Sequence, residues 1–459
     1  MPGSDHLADF IVQAKWDSLP EAVHEKSRMC LMDNLCAAMS GCMAKVSSIA
    51  ADYAQEQNRS GSSTILLNGK KTTPSLAAFA NATAANALDS DDGLRYAYGH
   101  AGAQLFPVAL ALSEARRMSG ANLLTAMVAG YEVAARIGRC WHDHHSVYQA
   151  CGSWGSVGSA ATAANLMALD NRKTLHALGI AEFYAPNAPM MRDVTDPAMV
   201  KHAIGWGAMT GITSAELAAK GFTGIPSIAA FDKYQEWIED IGSVYHIIEG
   251  IVWKKKGFTC CAWAQASMIG ARALLDEHHI ALHDIKTIRI HGFHETVLLG
   301  NSLPTTTEEA QFNLAWPVAA MMVDGEVGPR QMLEERMDDP LIKEVAKKVE
   351  LVESLELNKL HELFKNGDKH GRFAGRVEMI LKDGTEVDSG IVDAGISFSQ
   401  PVWTRQLMEE KFRYLMEFVM EQDRINQLIE MIWQFEKVKN LSEFMRLLIP
   451  VKKETEPHD

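Results

Sequence analysis

The stretch DSDDGLRYAYGHAGAQLFP, residues 89–107, concentrates three carboxylates, one arginine, two tyrosines and one histidine between two alanine-rich apolar runs. The apolar runs have the composition of helices, so the polar stretch is expected to join two helices of a buried bundle. Polar residues gathered in this way are typical of a functional site, because loops held by a rigid scaffold carry much of protein function. An ordinary solvated loop between helices is the alternative interpretation.

The pattern is mostly helical from Ser4 to about residue 270. Two runs dense in alanine, PSLAAFANATAANAL (74–88) and GSAATAANLMAL (158–169), lack bulky residues on several faces. Such helices are expected to pack closely against their neighbours. Three glycines at positions 152, 155 and 158 resemble a nucleotide-binding loop, but no strand precedes them, so close helix packing is the better interpretation.

Strand patterns are few, and most lie in the second half of the chain. The segment STILLNGKKTT (63–73) contains an Asn68-Gly69 turn and predicts a small hairpin among the helices. Alternation in IKTIRIHGF (285–293) predicts one strand, and the segment 371–394 predicts two strands around an Asp383-Gly384 turn. Helical periodicity then returns in residues 402–435.

The length of 459 residues exceeds the roughly 250–300 at which single cores stop growing, so two domains are expected. The predicted fold is mainly α with a smaller α+β domain. An all-helical bundle domain spans residues 1–263 and is completed by 400–459. An α+β lid domain spans residues 264–399.

Composition excludes several classes of protein. A net charge of −14 argues against a nucleic-acid partner, because neutralising phosphates requires a basic face. No run of about 18 apolar residues predicts a membrane span, and the N-terminus lacks the pattern of a signal peptide, so a cytoplasmic location is expected. Seven cysteines without repeated spacing predict reduced thiols rather than disulfides.

Two lysines stand out as candidates for chemistry. Lys201 begins a helix rich in glycine and alanine, where an ammonium lies unfavourably near the positive helix end, so it either extends to solvent or serves a function. Lys256 ends a Lys-Lys-Lys run before an apolar segment. It is a candidate functional lysine, and the alternative is that the run is a solvated basic face.

Histidine and cysteine clusters give weaker signals. The spacing of His142, His144 and His145 fits one helix face poorly, so a metal site there is not expected. Cys260 and Cys261 are adjacent and have no neighbouring base, so buried structural thiols are the preferred interpretation.

Four segments in order resemble the MmgE/PrpD family of 2-methylcitrate dehydratases, cis-aconitate decarboxylases and iminodisuccinate epimerase-like proteins. They are ALDSDD (87–92), GHAGAQLFPVALALSE (99–114), GFTGIPS (221–227) and KGFTCC (256–261). The resemblance spans nearly the whole chain. It implies a helical domain with an α+β lid, a homodimer, no cofactor and a small-molecule carboxylate substrate held between the domains. No metal is expected, because the sequence lacks metal-ligand spacing.

The resemblance also implies site residues, which are Asp92, His100, Gln149, Lys201, Lys256 and Gln265. The chemistry of their side chains adds Tyr148, Tyr96 and Arg95. The expected catalytic residues are Asp92, His100, Tyr148, Lys201 and Lys256. The expected substrate-binding residues are Arg95, Tyr96, Gln149, Gln265 and Trp316. Gln149 and Gln265 stand where family members usually have histidine, and Trp316 stands where tyrosine is common.

Those departures bear on the chemistry, because glutamine binds a carboxylate but does not exchange protons near neutral pH. Proton transfer then falls to His100, Lys201, Lys256 or a tyrosine such as Tyr148 or Tyr96. Arg95 offers a bidentate clamp for a carboxylate.

The leading hypothesis is a lyase of dehydratase type that removes a proton next to a carboxylate, with Lys256 or His100 as base and Lys201 and Arg95 binding carboxylates. An epimerase or isomerase, a decarboxylase and a non-catalytic binding protein are the alternatives. Trp316 and the segment 181–199 suggest a substrate that is bulkier or less charged than citrate.

Overall fold

Closely packed helices form the first part of the chain in a computed structural model that describes residues 2–254, 257–366, 368–395 and 403–449. The α-helices of this part are Pro2–Gln13, Glu21–Gly41, Lys45–Gln57, Pro74–Asn86, Gly102–Ala115, Gly120–His144, Cys151–Leu166, Asn171–Phe183, Met190–Thr195, Ile204–Ala219 and His246–Glu249.

Small residues let the central helix of this bundle, Cys151–Leu166, lie almost wholly inside it. A β-carbon added to Gly152 would lie 2.2 Å from the carbonyl oxygen of Ala203, and one added to Gly155 would lie 2.1 Å from Nε2 of Gln104. Both distances are far below van der Waals contact. The predicted packing role of these glycines is therefore confirmed.

Two pairs of short antiparallel strands interrupt the helices. Ser63–Thr64 pairs with Lys71–Thr72, which confirms the predicted hairpin. The second pair was not predicted: Gly93–Leu94 pairs with Ile251–Val252. This pairing brings residues just before position 254 against the polar stretch that begins at Asp89.

The second part of the chain contains a mixed five-stranded sheet. Ile285–Gly292 lies between Val349–Glu353, which runs parallel to it, and Ala374–Leu381, which runs antiparallel. Glu386–Asp388 and Val392–Asp393 both pair with Ala374–Leu381. The predicted strands in residues 285–293 and 371–394 are confirmed. The α-helices of this part are Gln265–His278, His294–Leu298, Thr307–Gln311, Ala315–Asp324, Pro329–Met332, Pro340–Ala346 and Leu355–Lys365.

The last helices of the chain return to the first part. They are Arg405–Met416, Gln422–Ile432 and Ser442–Leu448. Met408, Phe412 and Phe435 belong to the apolar core that the first bundle forms, whereas a second apolar core is built mainly from residues 258–379. The fold is thus mainly α with a smaller sheet-containing domain, as predicted. Among the described residues, no helix combines the length and apolar character needed to span a bilayer.

A buried ion pair fastens the C-terminal helices to the bundle. Nζ of Lys411 donates to a carboxylate oxygen of Asp33 and, at 2.6 Å, to the carbonyl oxygen of Ser90. Both charged side chains are fully buried. Burial raises the pKa of Asp33 to about 6, although Lys411 opposes this rise. Through its hydrogen bond to Ser90, Lys411 therefore fixes the polar stretch of residues 89–107 to the C-terminal helices.

We expect Lys411→Met to lower the free energy of unfolding by about 3–5 kcal/mol, because it leaves the Asp33 carboxylate buried without its counter-ion. Urea denaturation at pH 7.5 measures the change. The double variant Asp33→Leu/Lys411→Met should recover most of the loss, and Lys439→Met, at an exposed position, is the control. A loss below about 1 kcal/mol, the range typical of surface pairs, would contradict this role.

Candidate active site

The polar stretch forms a tight loop whose backbone directs Asp89 and His100 toward the same space. Asp89 has φ 54°, in the left-handed region that Asp tolerates better than most residues. Leu94 and Gly99 exchange backbone hydrogen bonds, and the Arg95 amide donates to the Gly250 carbonyl at 2.8 Å. The loop is thus closed on itself and fixed to a segment far along the chain.

Asp89 lies at the centre of a buried cluster of charges. Nζ of Lys254 donates to its Oδ2 at 2.5 Å, and Nζ of Lys201 lies 3.6 Å from its Oδ1. Burial alone would raise the pKa of Asp89, but the two ammonium groups hold it well below its usual range. The Asp89 carboxylate is therefore ionised at neutral pH.

The two lysines respond differently to the same surroundings. Burial lowers the pKa of Lys201 in spite of Asp89, whereas the pull of Asp89 outweighs burial at Lys254 and raises its pKa. Nζ of Lys201 also donates to the Asn86 carbonyl at 2.6 Å and to the side-chain oxygen of Gln311. Gln311 belongs to the sheet-containing domain, so Lys201 joins the two domains behind Asp89.

Two histidines face Asp89, and each is backed by its own carboxylate. Nδ1 of His100 donates to Asp91 at 2.9 Å, and Nδ1 of His202 donates to Asp193 at 2.8 Å. The Nε2 atoms of His100 and His202 lie 3.5 and 4.0 Å from Oδ1 of Asp89. The two rings are nearly parallel, with centroids 5.4 Å apart. Two imidazole–carboxylate dyads therefore converge on one point.

Burial lowers the pKa of His100, but Asp91 and Asp89 outweigh burial and raise it above its usual value. Because a hydrogen bond to a carboxylate fixes the tautomer and orientation of an imidazole, each dyad holds Nε2 as the working nitrogen. This arrangement suits one proton donor and one proton acceptor.

A cavity of about 550 Å³ lies beside the dyads. Its described lining includes Asp89, Arg95, Tyr98, His100, Tyr148 and Lys254 from the helical part. The sheet-containing part contributes Trp263, Glu295, Phe312, His361, Phe364 and Phe373. Tyr98 Oη donates to the Lys365 carbonyl at 2.5 Å, and Tyr148 Oη donates to the Tyr98 carbonyl at 2.6 Å. The first bond joins the two parts along one side of the cavity, and the second links Tyr148 to Tyr98 within the helical part.

Several residues expected from the sequence lie together here. His100, Arg95 and Tyr148 line the cavity, and burial raises the pKa of Tyr148 well above its usual value. Lys201 contacts Asp89. Lys256 lies outside the described residues.

Asp92 lies elsewhere, although it belongs to the same loop. Its Oδ1 accepts a hydrogen bond from the backbone amide of Gly102 at 3.1 Å, at the start of a helix, and its Oδ2 accepts one from Tyr131. Burial raises its pKa to about 7. A β-carbon at Gly102 would lie 2.2 Å from Nδ2 of Asn34, so this junction is tightly packed. The surroundings of Asp92 are those of a structural helix-capping residue.

The other four expected binding residues also lie away from the lining. Oε1 of Gln149 accepts from the Ala188 amide at 2.9 Å, and Tyr96 packs against the His246 ring. Gln265 and Trp316 are fully buried. Nε1 of Trp316 donates to the Gln331 carbonyl at 2.9 Å within the second apolar core.

The sequence interpretation missed Asp89, Lys254 and His202. His202 directly follows Lys201, and Lys254 lies in the same basic run as Lys256, so the sequence patterns that point to Lys201 and Lys256 also contain His202 and Lys254. The signal that separates Asp89 from Asp91 and Asp92 is absent from the local sequence.

Asp89, His100 and His202 offer ligand atoms within 4.8 Å of one another, a spacing that a metal ion could use. Lys254 and Lys201 already oppose the charge of Asp89, and two adjacent ammonium groups repel a dication. The donor set therefore fits proton transfer better than metal binding.

All seven cysteines are free thiols, as predicted.

The raised pKa of His100 predicts a pH dependence. Its imidazolium contributes stability that is fully present below about pH 6.5, its unfolded pKa, and that is lost as pH rises through the higher folded pKa. We expect Asp91→Asn to lower the folded pKa of His100 by about one unit or more, because it removes the neighbouring negative charge. The stability should then be lost at correspondingly lower pH. Unfolding free energies measured from pH 5.5 to 9 test this, and identical profiles for the variant and the native protein would contradict it.

Two family models match the chain. The MmgE/PrpD N-terminal domain matches residues 5–239, and the MmgE/PrpD C-terminal domain matches residues 258–436. The second match includes helices that pack on the first core in the structure.

Curated relatives match almost end to end at low identity. Human cis-aconitate decarboxylase is 25% identical, over 97% of this chain and 94% of the relative. The mouse cis-aconitate decarboxylase is 24% identical, over 97% of this chain and 93% of the relative. That of Aspergillus terreus is 21% identical, over 95% and 94%.

Proposed function

The chain belongs to the MmgE/PrpD family, and we propose that it is a cofactor-independent lyase that acts on a small carboxylic acid by removing the proton next to a carboxylate. The relatives named above are decarboxylases, which are lyases, and they support this class of reaction. The observation that carries the proposal is the pair of imidazole–carboxylate dyads on either side of Asp89.

We assign His202 as the base and the His100 imidazolium as the acid in a dehydration. Nε2 of His202 takes the proton from the carbon next to the carboxylate, and the electron pair moves into the new carbon–carbon double bond. The leaving hydroxyl takes the proton from Nε2 of His100 and departs as water. Arg95, on the cavity wall, binds the substrate carboxylate and stabilises the charge that develops on it.

A decarboxylase is the second candidate, and the names of the relatives favour it. In that reaction a substrate carboxylate leaves as carbon dioxide, and its bonding electrons pass through the adjacent double bond to a carbon that His100 protonates. One proton donor is sufficient, so the His202 dyad would have no direct proton to transfer. The two reactions therefore differ in their dependence on His202.

Proton NMR in deuterated buffer tests the proposal with a panel of citrate, 2-methylcitrate, malate and cis-aconitate. Under dehydration, His100→Asn and His202→Asn should each lower turnover by about 10²–10⁴-fold, the usual contribution of one acid or base. His283→Asn, at an exposed position, is the matched control. Release of carbon dioxide that depends on His100 but not on His202 favours the decarboxylase. Turnover that neither histidine variant reduces would overturn both assignments.

A further inference from the structure

Beyond the dyads, aromatic side chains form one part of the cavity wall. Trp263, Phe364 and Phe373 line it from the sheet-containing part. The rings of Phe364 and Phe373 pack edge to face with centroids 5.4 Å apart, and Phe373 packs in the same way on Phe293 at 5.3 Å. Phe364 and Phe373 are only 8% and 6% exposed. Because the rings hold one another, this wall is formed before any ligand arrives.

The lysines among the described residues that line the cavity are already paired with carboxylates of the protein. Lys254 pairs with Asp89, and Lys365 pairs with Glu295, which also lies 3.4 Å from His361. Burial would raise the pKa of Glu295, but His361 and Lys365 hold it below its usual range, so a second carboxylate of the protein faces the cavity. A tricarboxylate would bring three more negative charges beside these two.

Arg95 is the one guanidinium on the described part of the wall, and it lies 5.6 Å from the centre of the Phe364 ring. A carboxylate bound by Arg95 therefore lies next to the aromatic wall. Val252 and Leu298 extend the apolar lining around the same space. A ligand anchored at Arg95 and the dyads would have its remaining atoms against apolar side chains.

We infer that the substrate is a carboxylic acid with at most two carboxylates and an apolar substituent, alkyl or aromatic, that packs against Trp263, Phe364 and Val252. This inference rests on the proposed function, because it assigns the dyads to the reacting carbon. Burial of an apolar group against a preformed wall is favourable in proportion to its area. A third carboxylate would instead lie beside Glu295, and both lysines among the described lining residues, Lys254 and Lys365, are already paired with carboxylates.

Calorimetric titration of the full chain at pH 7 with succinate, benzylsuccinate and citrate tests this inference. Benzylsuccinate should bind about tenfold or more tightly than succinate, from the area of its ring alone, and more tightly than citrate. Leu298→Trp places a ring in the apolar space and should remove this preference for benzylsuccinate over succinate. Leu341→Trp changes a leucine of similar exposure, 42% against 37%, that is absent from the lining and should leave all three affinities unchanged.

Equal affinities for succinate and benzylsuccinate, tighter binding of citrate, or no binding of any of the three would overturn the inference. Failure of the proposed lyase activity can be distinguished from failure of the apolar subsite. A benzyl preference that Leu298→Trp removes, with no proton exchange from 2-benzylmalate, would retain the apolar subsite and remove the lyase. Turnover of citrate without a benzyl preference would retain the lyase and remove the subsite.

Discussion

Asp89→Asn should lower kcat/KM by about three orders of magnitude or more, with the proton-exchange assay as the measurement. Asparagine keeps the size and shape of the side chain but removes the charge that opposes Lys254 and Lys201. Leaving a buried charge without its partner costs about 3–5 kcal/mol, and each 1.36 kcal/mol is a factor of ten in rate where it falls on the transition state.

Asp92→Asn is the matched comparison, because it makes the same chemical change three residues away. Asp92 has a pKa near 7 and accepts hydrogen bonds at a helix start, so its neutral amide counterpart should reduce activity far less. The family resemblance instead implied Asp92 as the catalytic aspartate. A large loss in Asp92→Asn together with a small loss in Asp89→Asn would return the assignment to Asp92.

Lys254→Met should lower kcat/KM by about 10²–10³-fold and the free energy of unfolding by about 3 kcal/mol. Nζ of Lys254 bridges Asp89 and the Cys260 carbonyl, so its loss removes both a counter-ion and a tie between two segments. The low pKa of Asp89 contributes stability above its unfolded pKa, and this stability is lost as pH falls through the folded pKa. Lys254→Met should raise that folded pKa, so acid inactivation should begin at higher pH.

The same measurements on Lys256→Met compare the two lysines of the run directly. The sequence predicts Lys256 as a base, whereas the described geometry places Lys254 beside Asp89. Loss of turnover without loss of stability in Lys256→Met would identify a base. An inactive Lys256→Met beside a fully active Lys254→Met would show that the role assigned to Lys254 is wrong.

Much of the fold was predictable because its signals are local. The hairpin at residues 63–73 follows from an Asn-Gly turn, and the strand at 285–292 follows from alternation. The pairing of Gly93–Leu94 with Ile251–Val252 was not predictable, because two-residue strands have no periodicity and their partners are about 160 residues apart in sequence.

The candidate site was predictable as a region but less so as a set of side chains. His100, Lys201, Arg95 and Tyr148 were named from the sequence. The structure places His100 and Lys201 beside Asp89, and Arg95 and Tyr148 on the wall of the same cavity. Three aspartates within four residues have the same chemistry, and only the left-handed backbone at Asp89 and distant contacts decide which one meets the lysines. Sequence alone cannot rank them.

The hydrogen bond from Lys411 to the Ser90 carbonyl makes a loop that is synthesised early depend on a helix that is synthesised late. A ribosome adds about 5–20 residues each second, so the helical bundle and then the sheet-containing domain emerge before the helix that carries Lys411. Until that helix arrives, the loop next to Asp89 lacks its buried support, and Asp33 lacks its counter-ion. A chain released early, near residue 400, would contain both dyads and the aromatic wall yet hold them loosely. Activity is thus expected only after the helix that carries Lys411 has been made and has packed on the bundle.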